Sequence, residues 1–293
     1  MIVEVRSPAA AATGTAPASV SRAPANILAA LPALAFVAVL VGLPLATVFY
    51  EAVRSGFAAA ASVFSEPYAQ SAIVLTLEVA AITVVANTVF GVLAGWTLAK
   101  YRFPGKAWLI AAIDLPLTVS PVVAGLAILL TFGPHSPIGA WFVAHGVHVV
   151  FALPGIVLAT IFVTFPYVAR TYSTYLLEQG RELEEAALSL GASVWQTLWK
   201  VTLPSSRWAL LTGVLLCNAR AMGEFGAVSV VSGRIRGLTD TVPLHVEILY
   251  NEDAFVGAFA LSAALATVTM VFSAMRTIAE RRGQTIGVSQ RKS

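Results

Sequence analysis

Charge is what this sequence most lacks. Of 293 residues, 18 are Lys or Arg and 15 are Asp or Glu, 11% in all, where a soluble globular chain carries ~25%. With 58% hydrophobic residues and a mean hydropathy of +0.81, so little charge cannot cover a water-facing surface, and an ordinary soluble protein is excluded. Cysteine is nearly absent: the single Cys217 forbids an intrachain disulfide and leaves no cysteine cluster for zinc or an iron–sulfur centre. No G-x-x-x-x-G-K-S/T phosphate loop occurs, and Gly105-Lys106-Ala107 lacks both the first glycine and the hydroxyl residue. The chain is therefore expected neither to hydrolyse ATP nor to bind a cofactor or metal of its own. The net charge of +3 lies in basic residues flanking apolar runs, the pattern of membrane topology rather than of nucleic-acid binding.

What is present is a series of apolar runs. Crossing ~30 Å of hydrocarbon takes about 20 residues, and Ile27 to Tyr50, Val79 to Ala99 and Ala254 to Met275 each satisfy this. Between Asp114 and Arg170 stand 55 residues without a single Asp, Glu, Lys or Arg, too many for one helix; Gly133-Pro134-His135-Ser136-Pro137-Ile138-Gly139 divides them into two spans. A further run, Trp208 to Gly233, is interrupted only by Arg220 and Glu224. The expectation is an all-α polytopic membrane protein with six spans over residues 27–278. Residues 1–26, rich in Ala, Pro and Ser, read as a disordered tail and 279–293 as a second tail. The first apolar run has 24 residues, beyond the ~7–15 of a signal-peptide core, so it reads as an uncleaved span. Of the Lys and Arg outside the spans, 14 fall on one side and three (Arg54, Arg234, Arg236) on the other. By the positive-inside rule both termini and the segment 170–207 are cytoplasmic.

That segment is helical in pattern. Leu183, Ala187 and Leu190 recur on one face, behind an acidic first turn of Glu182, Glu184 and Glu185. Gly191 stands where a helix end favours φ > 0. Val194, Leu198 and Val201 then repeat at helical spacing, Trp195 and Trp199 lie four apart, and Leu203-Pro204 ends the run. Such a short helix either docks into a partner's groove or lies on the lipid surface with its tryptophans at headgroup level.

Glu185-Ala186-Ala187, Gly191 after three residues, and Val201-Thr202-Leu203-Pro204 after nine more resemble the EAA loop of ABC importer permeases, EAA-x3-G-x9-I-x-LP. Val201 for Ile is the one departure. The stretches Asn218–Val228, Val231–Gly233 and Thr241–Glu252 are similar to sulfate/thiosulfate permease subunits of the CysW type, and molybdate permeases share the Ala219-Arg220-x-x-Gly223-Glu224-Phe225-Gly226-Ala227 portion. The resemblance implies a type I ABC importer permease fold in a bacterial inner membrane. It implies an EAA loop over 171–204 in which Glu185, Ala186, Ala187, Gly191, Trp195, Leu198, Trp199, Leu203 and Pro204 couple to a cytoplasmic ATP-binding subunit dimer. Further implied partners are a second, related permease subunit (a homodimer being the alternative) and a periplasmic sulfate- or thiosulfate-binding protein. Transport of sulfate or thiosulfate is the function implied; molybdate or tungstate transport and a passive anion channel are the alternatives.

Among polar residues inside the spans, Arg220 and Glu224 stand out. A lone Arg at mid-membrane costs roughly 2.5–3.5 kcal/mol on insertion scales, so it faces protein or water. At i, i+4 the two share a helix face, either as part of an anion path or as an internal ion pair; the partial cancellation of charge favours the pair. Glu78 and Asn87 are further path candidates, and Asn87 equally suits a bond between helices. Asp114 is expected at the cytoplasmic surface. His135, His145 and His148 read as polar residues of the outer hairpin. Gly91, Gly95, Gly125 and Gly155 are expected to permit close helix contact.

Overall fold

The computed structural model describes the backbone of residues 27–290 and the side chains of 31–282; the expected tail at 1–26 and the last residues of the second lie outside the described residues. Among the described residues every regular element is a helix. The first rod comprises α1 (Ile27–Val37), a π-helical turn (Ala38–Gly42) and α2 (Leu43–Arg54). After α3 (Phe57–Ser62) and a 3-10 turn come α4 (Pro67–Lys100), α5 (Lys106–Thr118), α6 (Pro121–Phe132), α7 (Pro137–Ala144) and α8 (Leu153–Gln179). The segment that follows holds α9 (Glu182–Ser189), α10 (Val194–Thr197), a π-helical turn (Leu198–Thr202) and α11 (Leu203–Ser205). It leads into α12 (Arg207–Met222), α13 (Gly226–Val231), α14 (Val242–Asn251) and α15 (Phe255–Gln290). Proline marks the starts of α4, α6, α7, α8 and α14, where its fixed φ suits the helix and its missing N–H leaves no donor unpaired.

Four stretches, Leu31–Arg54, Pro67–Lys100, Leu153–Gln179 and Phe255–Arg282, are each long and apolar enough to cross a membrane unbroken. The division at Gly133–Gly139 falls as expected between α6 and α7. The span expected before it, however, is bent by 109° between α5 and α6. The cause is local: Ser120 precedes a proline and is held extended (φ −58°, ψ 134°), and Pro121 opens a new helix. The span expected over Trp208 to Gly233 is likewise not one helix. It stops at Met222 after 16 residues and resumes at Gly226.

α4 and α8 form the tightest pair. A Cβ on Gly91 would lie 2.7 Å from the Val168 side chain, and one on Gly95 2.9 Å from the Ala169 carbonyl. Gly125 packs against the Ala227 carbonyl, so Gly91, Gly95 and Gly125 permit the close approach that drives helix association where no hydrophobic effect operates, whereas Gly155 meets the Val149 carbonyl in the turn leading into its own helix. The end of α8 meets the start of α12 through Tyr172 Oη, 3.0 Å from Ser206 Oγ, and Gln179, which donates to Ser205 Oγ. Arg282 of α15 and Arg207 both lie over the Trp208 ring. The basic residues Lys100, Arg207 and Arg282 thus gather at one end of the bundle.

Candidate functional site

The α9–α11 segment is shaped by two successive local stops. Glu182, Glu184 and Glu185 occupy the first turn of α9, where carboxylates complement the exposed N–H groups. At its other end Gly191 takes φ +85°. Its N–H donates to the Leu188 carbonyl and that of Ala192 to the Ala187 carbonyl, a Schellman closure. Ser193 then opens α10 with a capping box: its hydroxyl accepts from the Gln196 N–H at 3.2 Å, while its own N–H donates to Gln196 Oε1 at 2.9 Å. Reversal and restart within five residues fix where the next helix points.

It points Trp195 and Trp199 outward, each 57% exposed, with their rings edge-to-face at 5.9 Å. Leu190 and Val194 extend this apolar surface. Glu185 and Ala186 are exposed, Ala187 half-buried. Leu198 faces the other way, buried with Thr197 and Thr202, so the apolar repeat that suggested it as a docking contact marks the face packed on this chain's own helices. Leu203 joins the apolar cluster of Val92, Ala99, Tyr172 and Leu176, and Pro204 lies exposed in α11.

The second feature is a charged seam at the broken span. At ~1.5 Å per residue Arg220 lies about 20 Å along α12 from Arg207, deep within a ~30 Å core. Arg220 occupies the last turn of α12, and Glu224 lies just before α13. Their side chains approach to 3.0 Å as an ion pair. Glu224 is buried, and its other oxygen accepts from the Ala227 N–H at 3.0 Å. Each charge therefore faces the helix end it complements, cation at a C-terminus and anion at an N-terminus, and together they bridge Gly223–Phe225. Arg220 keeps 35% of its side chain exposed. α6 packs on this seam, with a Cβ on Gly226 falling 2.9 Å from that of Pro121, so the two broken spans meet at their breaks.

Asn87 is wholly buried, donating to Thr164 Oγ1 at 2.7 Å with Cys217 Sγ 3.5 Å away. It joins α4, α8 and α12 and faces no open path. Glu78 is exposed. Asp114 stands in mid-α5, half-buried, and forms a two-pronged ion pair with the exposed Arg170 of α8. α8 runs on to Gln179, so the helical rod carries the first nine residues after Arg170. His135, His145 and His148 are exposed, and no group of three or more His, Cys, Asp or Glu able to hold a metal occurs among the described residues. A groove of about 590 Å³ beside the break is lined by Gly223, Phe225, Glu247, Tyr250, Phe259 and Ser262 among others; Glu247 is paired there with Arg234 at 3.3 Å. Sequence reasoning missed the capping box, although Ser193 and Gln196 stand at its spacing, and the Asp114–Arg170 pair, whose partners are far apart in sequence.

The family described as binding-protein-dependent transport system inner membrane component matches residues 87–284, from the buried Asn87 through the segment and the seam into α15. The chain belongs to this family. Among similar members, the sulfate transport system permease protein CysW of Synechocystis sp. is 47% identical over 250 residues, 85% of this chain and 91% of that protein. The protein of that name from Escherichia coli (strain K12) is 44% identical over 239 residues, 82% of each. A chain of the bacterial alginate ABC transporter, solved in complex with an alginate pentasaccharide-bound periplasmic protein, superposes with a TM-score of 0.69 at 17% identity, over 87% of this chain and 93% of that one. At that identity it establishes the fold, an all-α ABC permease. Within this family of inner membrane components the chain is a multi-pass transport subunit.

Proposed function

We propose that this chain is the translocation subunit of an ATP-driven importer of sulfate or thiosulfate. The observation that carries the substrate is the 47% and 44% identity to sulfate permeases over more than four-fifths of the chain. The coupling role rests on the outward Trp195–Trp199 face held by the Gly191 and Ser193 stops. Without a phosphate loop in its sequence, the chain leaves hydrolysis to a cytoplasmic ATPase dimer, which the exposed apolar face of Leu190, Val194, Trp195 and Trp199 suits as a groove-docking surface. A second, related permease completes the membrane part; a probable cysT permease of Chlorokybus atmophyticus, 39% identical over 206 residues, supports the existence of such relatives. A periplasmic receptor delivers the anion. The Arg220–Glu224 pair serves first to join α12 to α13, and the exposed part of Arg220 is the chain's contribution of positive charge to the path.

The basic end of the bundle carries Lys100, Arg207 and Arg282, which supports a cytoplasmic position for it and for the 180–206 segment. A thiol placed at the exposed Ser189 should resist impermeant maleimide in intact cells and react once the membrane is permeabilised; reaction in intact cells would reverse the orientation. The function itself is tested by uptake of radiolabelled sulfate in cells with and without this chain. Chain-dependent sulfate uptake, suppressed by excess thiosulfate, supports the assignment, and chain-dependent uptake of radiolabelled molybdate without chain-dependent uptake of sulfate would move it to the molybdate and tungstate class.

A further inference from the structure

One buried ammonium joins four elements at the basic end of the bundle. Lys100 ends α4, and its side chain is 8% exposed. Its Nζ stands 2.7 Å from Glu184 Oε2, itself 13% exposed, and donates to the carbonyls of Leu176 and Gly180 at the end of α8. Two of the ammonium's donors satisfy carbonyls that a helix end leaves open, where positive charge is favoured, and the third interaction is the ion pair with Glu184. Glu184 lies in the first turn of α9, and its other oxygen accepts from the buried Thr202 hydroxyl at 2.9 Å. Thr202 closes the turn that carries Trp199.

We infer that Lys100, through Glu184 and Thr202, is the positioning residue that passes displacement of the docking segment to the ends of α4 and α8. Apolar packing already holds these elements together: Leu203 sits in the cluster of Val92, Ala99, Tyr172 and Leu176. Such packing resists separation but permits sliding, because dispersion contacts have little directionality. Charge-assisted hydrogen bonds at fixed angles resist sliding as well. A segment pushed at Trp195 and Trp199 therefore draws α4 and α8 with it only while this node is intact.

The inference rests on the importer reading, and the test separates the two. The complete importer, with its ATPase and receptor, is placed in proteoliposomes, and radiolabelled sulfate moved per ATP hydrolysed is measured. Lys100→Met should leave ATPase association and hydrolysis nearly unchanged while sulfate moved per ATP falls roughly tenfold, the scale of an ordinary coupling between sites. Glu184→Gln should act in the same direction, and Lys100→Arg, which keeps charge and donors, should restore most of the ratio. If Lys100→Met fails to assemble, Glu184→Gln carries the test. An unchanged ratio in the variants, or equal losses of hydrolysis and transport, overturns the node. Absence of receptor-stimulated hydrolysis in the unaltered importer would overturn the importer reading instead.

Discussion

Glu224→Ala is expected to remove most of this subunit from the membrane. The carboxylate both neutralises Arg220 and accepts the Ala227 N–H that opens α13, so its loss strands a guanidinium about 20 Å into the bundle and uncaps a buried helix start. The pair is buried at Glu224 and part-exposed at Arg220, so breaking it costs less than the ~3 kcal/mol of a fully buried pair, still a large share of a marginal stability when the lost helix cap is added. Arg220→Ala should be milder, because Glu224 keeps its bond to Ala227, and Glu224→Gln should fall between, retaining the acceptor without the charge. The double change Arg220→Ala, Glu224→Ala should be no worse than Glu224→Ala alone, since the stranded cation is gone. Subunit abundance in membranes reads all four. Additive losses would deny the pair; a variant lacking Arg220 with normal abundance but little sulfate uptake would make that charge chiefly a part of the path.

Gly191→Val should abolish uptake while the spans still insert. At φ +85° the glycine meets open space on the side where a Cβ would stand, so the penalty is the backbone's alone: about 1–2 kcal/mol for an L-residue in the left-handed region, and more for a β-branched one. Relieving it turns Ser193 and the Trp195–Trp199 face away from their present direction. Gly191→Asn, which tolerates this conformation, should keep most of the uptake. The comparison is made at equal subunit abundance, with ATPase copurification beside it. Normal uptake by the valine variant would show that the turn does not aim the docking face.

The features the sequence displays are those set by local pattern. Apolar run length located the spans, the Gly133–Gly139 cluster divided one of them, and Gly191 stood at its turn because only that conformation closes α9. Two breaks escaped this reading. Val119-Ser120-Pro121 carries a helix-start signal inside an uncharged run, and hydropathy does not register a bend between two equally apolar helices. The stop at Met222 falls at Gly223, which caps α12, and Gly226 opens α13, a pair of glycines inside an apolar run that hydropathy does not register. Leu198 was misassigned for a different reason: helical periodicity identifies an apolar face, and a face packed on one's own core has the same period as one offered to a partner. The Trp195–Trp199 pair was the better signal, since large aromatics at i, i+4 beside Lys200 mark the outward side. Contacts such as Lys100–Glu184 and Asp114–Arg170 join residues on different helices and become visible only once the bundle is assembled.

Cross-linking between this chain and the ATPase subunit tests the central claim most directly. Lys200 is exposed beside Trp199 on the docking face, Asn251 is exposed at the end of α14, and the native Cys217 is buried, so a water-borne maleimide–benzophenone attaches only to the introduced thiol and on illumination inserts into C–H bonds of whatever protein lies against it. With Lys200→Cys, membranes containing the whole importer should yield a product joining this subunit to the ATPase, and with Asn251→Cys they should not. No product from Lys200→Cys in a complex that still takes up sulfate, or equal products from both positions, would contradict the assignment of the 190–204 segment as the ATPase dock.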